Sequence, residues 1–264
     1  MSRLADTFSR LKAKGRAALV SYVVAGDPNP ELGQEILNAL PDAGVDVIEL
    51  GIPFTDPMAD GPTIQAADIR ALAAGMSVAK TLDMVRTFRQ KNTTTPIVLM
   101  GYYNPVYIYG GARFAKDAAA AGVDGLLLVD LPPEEDGEIK GDLKAAGIDL
   151  IRLITPTSTG ERLKKLVQDT SGFLYYVSIA GVTGTASIEM NSVAAKLKEI
   201  KAVSDLPVAV GFGIRTIEDA KAVASIAEGV VIGSAFVRII EKTVENQIVS
   251  ELSRQAKAYA DALA

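Results

Sequence analysis

The chain has 264 residues, 48% apolar and 22% charged, with a formal net charge of −5. That balance excludes the compositions of disordered chains and fits one large globular domain or two small ones. His and Cys are both absent, which excludes zinc sites built on them and Ser–His or Cys–His nucleophiles, so acid–base work near neutral pH falls to carboxyl groups, Tyr or Lys.

Along the chain, Ser2 to Lys14 forms an amphipathic, somewhat basic helical pattern, but Asp6 and the lack of a cleavage motif argue against a transit peptide. Strands are predicted at 18–24, 46–51, 96–101, 124–129, 148–154, 173–178, 207–211 and 229–232, with helical patterns between them. The first of the intervening helices opens at Asn29-Pro30, carries Leu32, Ile36, Leu37 and Leu40 as its apolar stripe, and is expected to stop at Gly44. The apolar runs are only a few residues long, against roughly 20 for a membrane span. With no basic run, nucleic acid and anionic membrane surfaces are not expected partners. The missing Cys is compatible with a reducing, cytoplasmic setting.

Repeated strand and helix pairs without a linker or composition break predict an α/β fold, a single-domain (β/α)8 TIM barrel over residues 1–264 with an extra N-terminal helix. An open doubly wound sheet is the alternative. The units share punctuation: Ala43-Gly44-Val45-Asp46, Ala121-Gly122-Val123-Asp124 and Ala146-Gly147-Ile148-Asp149 each end a helix and start a strand. Counting five residues from each Gly aligns Glu49, Leu127 and Arg152, which are therefore expected on one side of their strands.

Glu49 lies within an apolar strand that runs into the loop Pro53 to Pro62 and passes Asp60. An ionised acid there costs several kcal/mol (roughly 3 or more) unless it is paired or keeps its proton. With Ile48 and Leu50 packed on the helix layer, Glu49 faces the barrel interior near its carboxyl-end mouth, as a proton carrier or as a structural ion-pair partner of Arg152.

After the seventh strand comes Gly211-Phe212-Gly213-Ile214, and after the eighth Gly233-Ser234-Ala235 opens an amphipathic helix. Two glycine turns and a helix start at one mouth, with Ser234 as cap, suit phosphate oxygens. Gly211-Phe212-Gly213 lacks the rest of a dinucleotide fingerprint. The loop Ala180 to Thr185 after strand six is a candidate lid. A phosphorylated small molecule beside Glu49 and Asp60 leaves isomerisation, epimerisation or carbon–carbon cleavage. No Lys falls within a predicted strand, which disfavours Schiff-base chemistry.

The segments Glu49-Leu50-Gly51-Ile52-Pro53-Phe54-Thr55-Asp56-Pro57 and Ala59-Asp60-Gly61-Pro62-Thr63-Ile64-Gln65 resemble the signature of the tryptophan synthase alpha subunit. The likeness continues through Met100-Gly101-Tyr102-Tyr103-Asn104-Pro105, Asp130-Leu131-Pro132, Gly181-Val182-Thr183-Gly184, Gly211-Phe212-Gly213 and Gly233-Ser234-Ala235. It implies a lyase of tryptophan biosynthesis that cleaves indole-3-glycerol phosphate to indole and glyceraldehyde 3-phosphate by a retro-aldol step, with no metal or organic cofactor in this chain. By the same resemblance Glu49 is the acid and base, Asp60 holds the indole N–H, and Tyr175 stands near the substrate. Tyr22, Met100, Leu127, Phe212 and Ile232 match the indole pocket, Gly184, Gly213, Gly233 and Ser234 match the phosphate binders, and Thr183 and Gly211 are further substrate-binding positions.

Two departures stand out: Ile179 replaces an arginine of some relatives at the start of the lid, and Arg152 occupies a position suited to an apolar side chain. The implied partner is a beta subunit in an alpha2beta2 heterotetramer, meeting the loops Pro53 to Pro57, Tyr103 to Pro105 and Asp130 to Glu135. The competing functions are the same lyase acting without a beta subunit and a phosphosugar isomerase or epimerase on the same barrel.

Overall fold

The computed structural model describes residues 2–178, 189–211 and 213–264. Eight strands appear among them: β1 (Ala18–Val24), β2 (Val47–Gly51), β3 (Ile97–Gly101), β4 (Gly125–Leu128), β5 (Asp149–Ile154), β6 (Leu174–Val177), β7 (Val208–Gly211) and β8 (Gly229–Ile232). They pair in parallel and in sequence order, and β8 closes on β1, so the predicted TIM barrel is the observed one. Each predicted strand contains its observed counterpart to within a residue at either end.

The N-terminal helix α1 (Arg3–Ala13) is capped by Ser2, whose hydroxyl accepts from the Ala5 N–H. Its buried Leu4, Phe8 and Leu11 close the amino-end floor of the barrel: a side chain on Gly229 would touch Phe8, and one on Gly125 would touch Leu4. The helix α2 (Pro30–Ala39) has the expected cap, with Asn29 Oδ1 accepting from the Leu32 N–H at 2.9 Å. It ends before Gly44, however. Pro41 has no N–H to continue the ladder, and a turn carries the chain from Leu40 to Gly44, whose φ of 93° leads into β2.

The recurring Gly-x-Asp has a structural explanation. Asp46 accepts from the Leu19 N–H at 2.9 Å and from Arg16 at 2.5 Å. Asp124 accepts from the Ile97 N–H at 2.8 Å and binds Arg89 and Arg3 at 2.6 and 2.8 Å. Each carboxylate thus ties the start of its strand to the strand before it and carries a cation that offsets its burial. Gly122, at φ 93°, ends the helix ahead of β4, and a Cβ there would come within 2.8 Å of the Arg89 stem.

Side chains in register around a parallel barrel share a face. Tyr22, Glu49 and Val98 lie side by side, as do Gly51, Met100 and Leu127. Ile48 and Leu50, buried like Glu49, point the other way into the helix layer.

Leu127 pairs with Ile151, so Ile151 and Leu153 share the lumen phase with Glu49, and Arg152 points outward. The expected alignment of Arg152 with Glu49 is therefore wrong by one residue. In the helix layer Arg152 forms an ion pair with Asp136 and donates to the Leu131 carbonyl at 3.3 Å. The same parity corrects Ile232. It lies beside Ser21 on the helix-facing side, whereas Val231 is in register with Val20 and faces inward.

Candidate active site

Glu49 reaches the lumen because β2 alternates strictly, and it arrives there 1% exposed with neither carboxyl oxygen hydrogen-bonded among the described residues. Burial, assisted by the negative charge of Asp60, pushes its pKa up to about 8. A carboxyl group so placed holds a proton at neutral pH and releases it at small cost, which is what a general acid that must later serve as a base requires.

Asp60 comes from the loop after β2. The Tyr102 hydroxyl donates to Asp60 Oδ2 at 2.7 Å and accepts from the Ala59 N–H at 2.9 Å. Burial raises the Asp60 pKa, while the Tyr102 bond favours its anion. Two carboxyl groups in different surroundings can thus take different roles, Asp60 the charge and Glu49 the proton. Tyr102 lies in the motif Met100 to Pro105, yet a buried aromatic following a strand carries no signal of which carboxylate it will reach, so the sequence does not mark it as a site residue.

Tyr175, 4% exposed, lies on the lumen face of β6, and burial together with Glu49 and Asp60 raises its pKa well above the ordinary value. Room for its ring comes from Gly211, where a Cβ would sit 2.3 Å from the Tyr175 hydroxyl oxygen. Gly51 does the same for Tyr22, at 2.5 Å. Tyr22 and Met100 line a small cavity together with Asp60, Asp68 and Tyr102, and Leu127 stands beside Met100 in register. The mouth thus brings Glu49, Asp60, Tyr175, Tyr22, Met100 and Leu127 together around flat apolar surface suited to an aromatic ring.

Two strands round the barrel from β2, Gly233 caps the helix Ser234–Lys242, so Ser234 is its first residue and not the cap expected from the sequence. Gly233 faces the lumen, where an added Cβ would contact Tyr22 at 3.6 Å. Gly213 has φ 79°, left-handed backbone that few side chains tolerate. Thr183, Gly184 and Phe212, with Ile179 and the candidate lid Ala180 to Thr185, lie outside the described residues.

A proton-holding carboxyl and a partly buried second acid at a barrel mouth, with a glycine-rich helix start at the same mouth, define an acid–base enzyme of the phosphate-binding (β/α)8 class. The family model described as tryptophan synthase alpha chain matches residues 8–263. Tryptophan synthase subunit alpha from Legionella pneumophila is 41% identical, with a TM-score of 0.93 and coverage of 100% of this chain and 98% of that one. A chain of tryptophan synthase from M. tuberculosis, in its aminoacrylate-bound form, is 35% identical with a TM-score of 0.90, each chain covered in full. The chain belongs to the tryptophan synthase alpha chain family. It is accordingly a lyase of tryptophan biosynthesis that cleaves indole-3-glycerol phosphate.

Proposed function

We propose that Glu49, Asp60 and Tyr175 carry the cleavage, and that the observation on which this rests is the buried carboxyl group of Glu49 in the lumen, without a hydrogen bond among the described residues. Protonated Glu49 delivers its proton to the ring carbon that bears the glycerol chain, which places positive charge on the ring nitrogen. Asp60, fixed by Tyr102, accepts the hydrogen bond of that N–H and stabilises the charge. The carboxylate left on Glu49 then takes the proton of the adjacent glycerol hydroxyl. As the C–O bond becomes a carbonyl, the carbon–carbon bond breaks and its electron pair returns to the ring, releasing neutral indole and glyceraldehyde 3-phosphate. Tyr175, on the lumen face and within electrostatic reach of both acids, limits water access to Glu49 and fixes the ring plane.

The phosphate is read onto Gly213, Gly233 and Ser234, with Gly184 as the further position implied by family resemblance, while Thr183 and Gly211 are substrate-binding positions and Phe212 belongs to the indole pocket. The free N–H groups at the start of the helix Ser234–Lys242 support this, since they point at an anion without paying a reorganisation cost. Ser234→Asp places like charge on the ligand and is expected to raise KM about tenfold or more with a smaller effect on kcat. An unchanged KM would remove Ser234 from the site.

The beta subunit reading is supported by large apolar side chains at the mouth side: Met58, Tyr107 and Ile108 are 83%, 59% and 77% exposed. Tyr103 to Pro105, expected as a loop, open a short helix, Tyr103–Tyr109, whose first N–H is received by Asp130 at 2.8 Å, so two of the three expected contact segments are braced against each other. The other two segments, Pro53 to Pro57 and Asp130 to Glu135, carry the exposed Thr55, Asp56, Asp130, Glu134 and Glu135 at their tips. An alpha2beta2 assembly in the cytoplasm fits this surface and the phosphorylated, water-soluble substrate. One domain over 1–264 fits a barrel in which all strand pairs close the same sheet.

The deciding experiment is incubation of the purified chain with indole-3-glycerol phosphate, with indole measured in the presence and absence of a beta subunit. Indole release that rises with the beta subunit is expected. Release that is indifferent to it would favour the free-standing lyase, and none in either condition would overturn the reading.

A further inference from the structure

Asp68 occupies a place where a carboxyl group needs explaining. It lies on the buried side of α3 (Pro62–Ala73), is 3% exposed, and lines the same small cavity as Asp60, Tyr22, Met100 and Tyr102. Asp residues are almost never fully buried unless paired, and no salt bridge to Asp68 exists among the described residues. The nearest cation on its own helix, Arg70, is spent on Asp27, to which it donates twice, at 2.7 and 2.9 Å.

The groups that face Asp68 come from several elements. From the loop after β2 come Asp60 and the Phe54 N–H, which donates to the Asp68 carboxyl. From β1 comes Tyr22, and from the residue following β3 comes Tyr102, both under the influence of Asp68. The connection after β1 supplies Asp27 with its Arg70, and the helix Ser234–Lys242 places Glu241 near that pair. Acidic groups and phenols therefore surround Asp68, and the backbone N–H of Phe54 is the donor holding it.

We propose that Asp68 is a positioning residue for the cleavage: its carboxyl group, anchored to the Phe54 N–H and enclosed with Asp60, sets the negative charge that Asp60 presents to the substrate ring nitrogen. The proposal rests on the Asp60 reading given above. Two carboxyl groups in one cavity lose their protons as a pair, in two steps. The first loss falls chiefly on Asp60, whose anion Tyr102 stabilises. The second falls chiefly on Asp68, whose pKa burial and the charge of Asp60 push up to about 7. Below that pH the cavity holds one charge and above it two, so stabilisation of the cationic ring nitrogen increases as pH rises through about 7. The anchor also ties the loop Pro53 to Pro57, through Phe54, to the charge state of the site.

The test is the pH profile of kcat/KM for the full chain and for Asp68→Asn, whose amide oxygen can still accept from Phe54, combined with carbon NMR titration of Asp carboxyl groups. In the unmutated protein one Asp resonance is expected to titrate near pH 7 while kcat/KM rises across the same range. Asp68→Asn is expected to lose that resonance, to lose the rise, and to show kcat/KM above pH 7 lower by about threefold to tenfold. Absence of any Asp titration near pH 7 in the unmutated protein, or a rise that survives in Asp68→Asn, would overturn the proposal alone. Near-normal turnover in Asp60→Asn would overturn the Asp60 reading, and this proposal with it.

Discussion

Glu49→Gln is expected to lower kcat for indole-3-glycerol phosphate by about three orders of magnitude, within the range of general acid–base catalysis, while substrate still binds. The amide preserves shape and burial but cannot deliver or take a proton. Since catalysis needs the protonated acid first, activity of the unmutated enzyme is expected to fall as pH rises through about 8, where Glu49 ionises, beyond the rise near pH 7 expected from Asp68. Residual turnover within about tenfold of the unmutated chain would return Glu49 to a structural role.

The same variant has a consequence for stability. Glu49 has a folded pKa near 8 against an ordinary 4.5, so the folded state binds the extra proton and stability declines as pH rises between those values. Glu49→Gln removes that slope. Its stability advantage in urea denaturation is expected to grow from about pH 5 and level off above pH 8, reaching about 2 kcal/mol after allowance for the unpaired amide. A gap that does not change with pH would show that Glu49 is not the group held neutral by the fold.

The second large effect is on folding. Arg152→Met leaves Asp136, 2% exposed, with only the longer ion pair to Lys140, at 3.4 Å, among the described residues, and is expected to destabilise the chain by about 3 kcal/mol. Replacing Asp136 with Leu in the same chain is expected to recover most of the loss, because the cost lies in the stranded charge and not in the missing attraction. The pH profile of kcat in Arg152→Met is expected to match that of the unmutated protein, since Arg152 faces the helix layer and Glu49 the lumen. A shift of the limb near pH 8 would mean that the two side chains communicate after all.

Much of the fold could be read from local sequence. The strand positions follow from short apolar runs bounded by Gly and Pro, and a closed parallel barrel follows from their regular alternation with helices. Glu49 could be placed because a charge between Ile48 and Leu50 has one face available to it: the apolar neighbours claim the helix layer, and the acid takes the lumen. Asp60 could be placed near it because it lies in the loop that the same strand runs into, whereas Tyr22, Met100 and Leu127 come from the family resemblance and not from the local pattern.

Arg152 and Ile232 could not be resolved in this way. Leu150-Ile151-Arg152-Leu153-Ile154 and Val230-Val231-Ile232 are apolar at both parities, as strands buried on two faces tend to be, so no local pattern says which side faces in. Counting from the preceding Gly assumed an equal stagger between neighbouring strands. In the closed barrel Leu127 comes to lie beside Ile151, and that single step turns Arg152 outward to Asp136.

The Tyr102 bond to Asp60 and the enclosure of Asp68 beside it belong to the same kind of fact. The residues lie up to 42 positions apart in the chain and meet because the β2 and β3 ends are neighbours at one mouth. The sequence by itself determined which elements form and which acid is sheltered, since both depend on periodicity and the cost of burying charge. Which groups tune that acid was decided by the tertiary structure, because closure of the barrel sets strand stagger, and stagger sets which side chains share the interior.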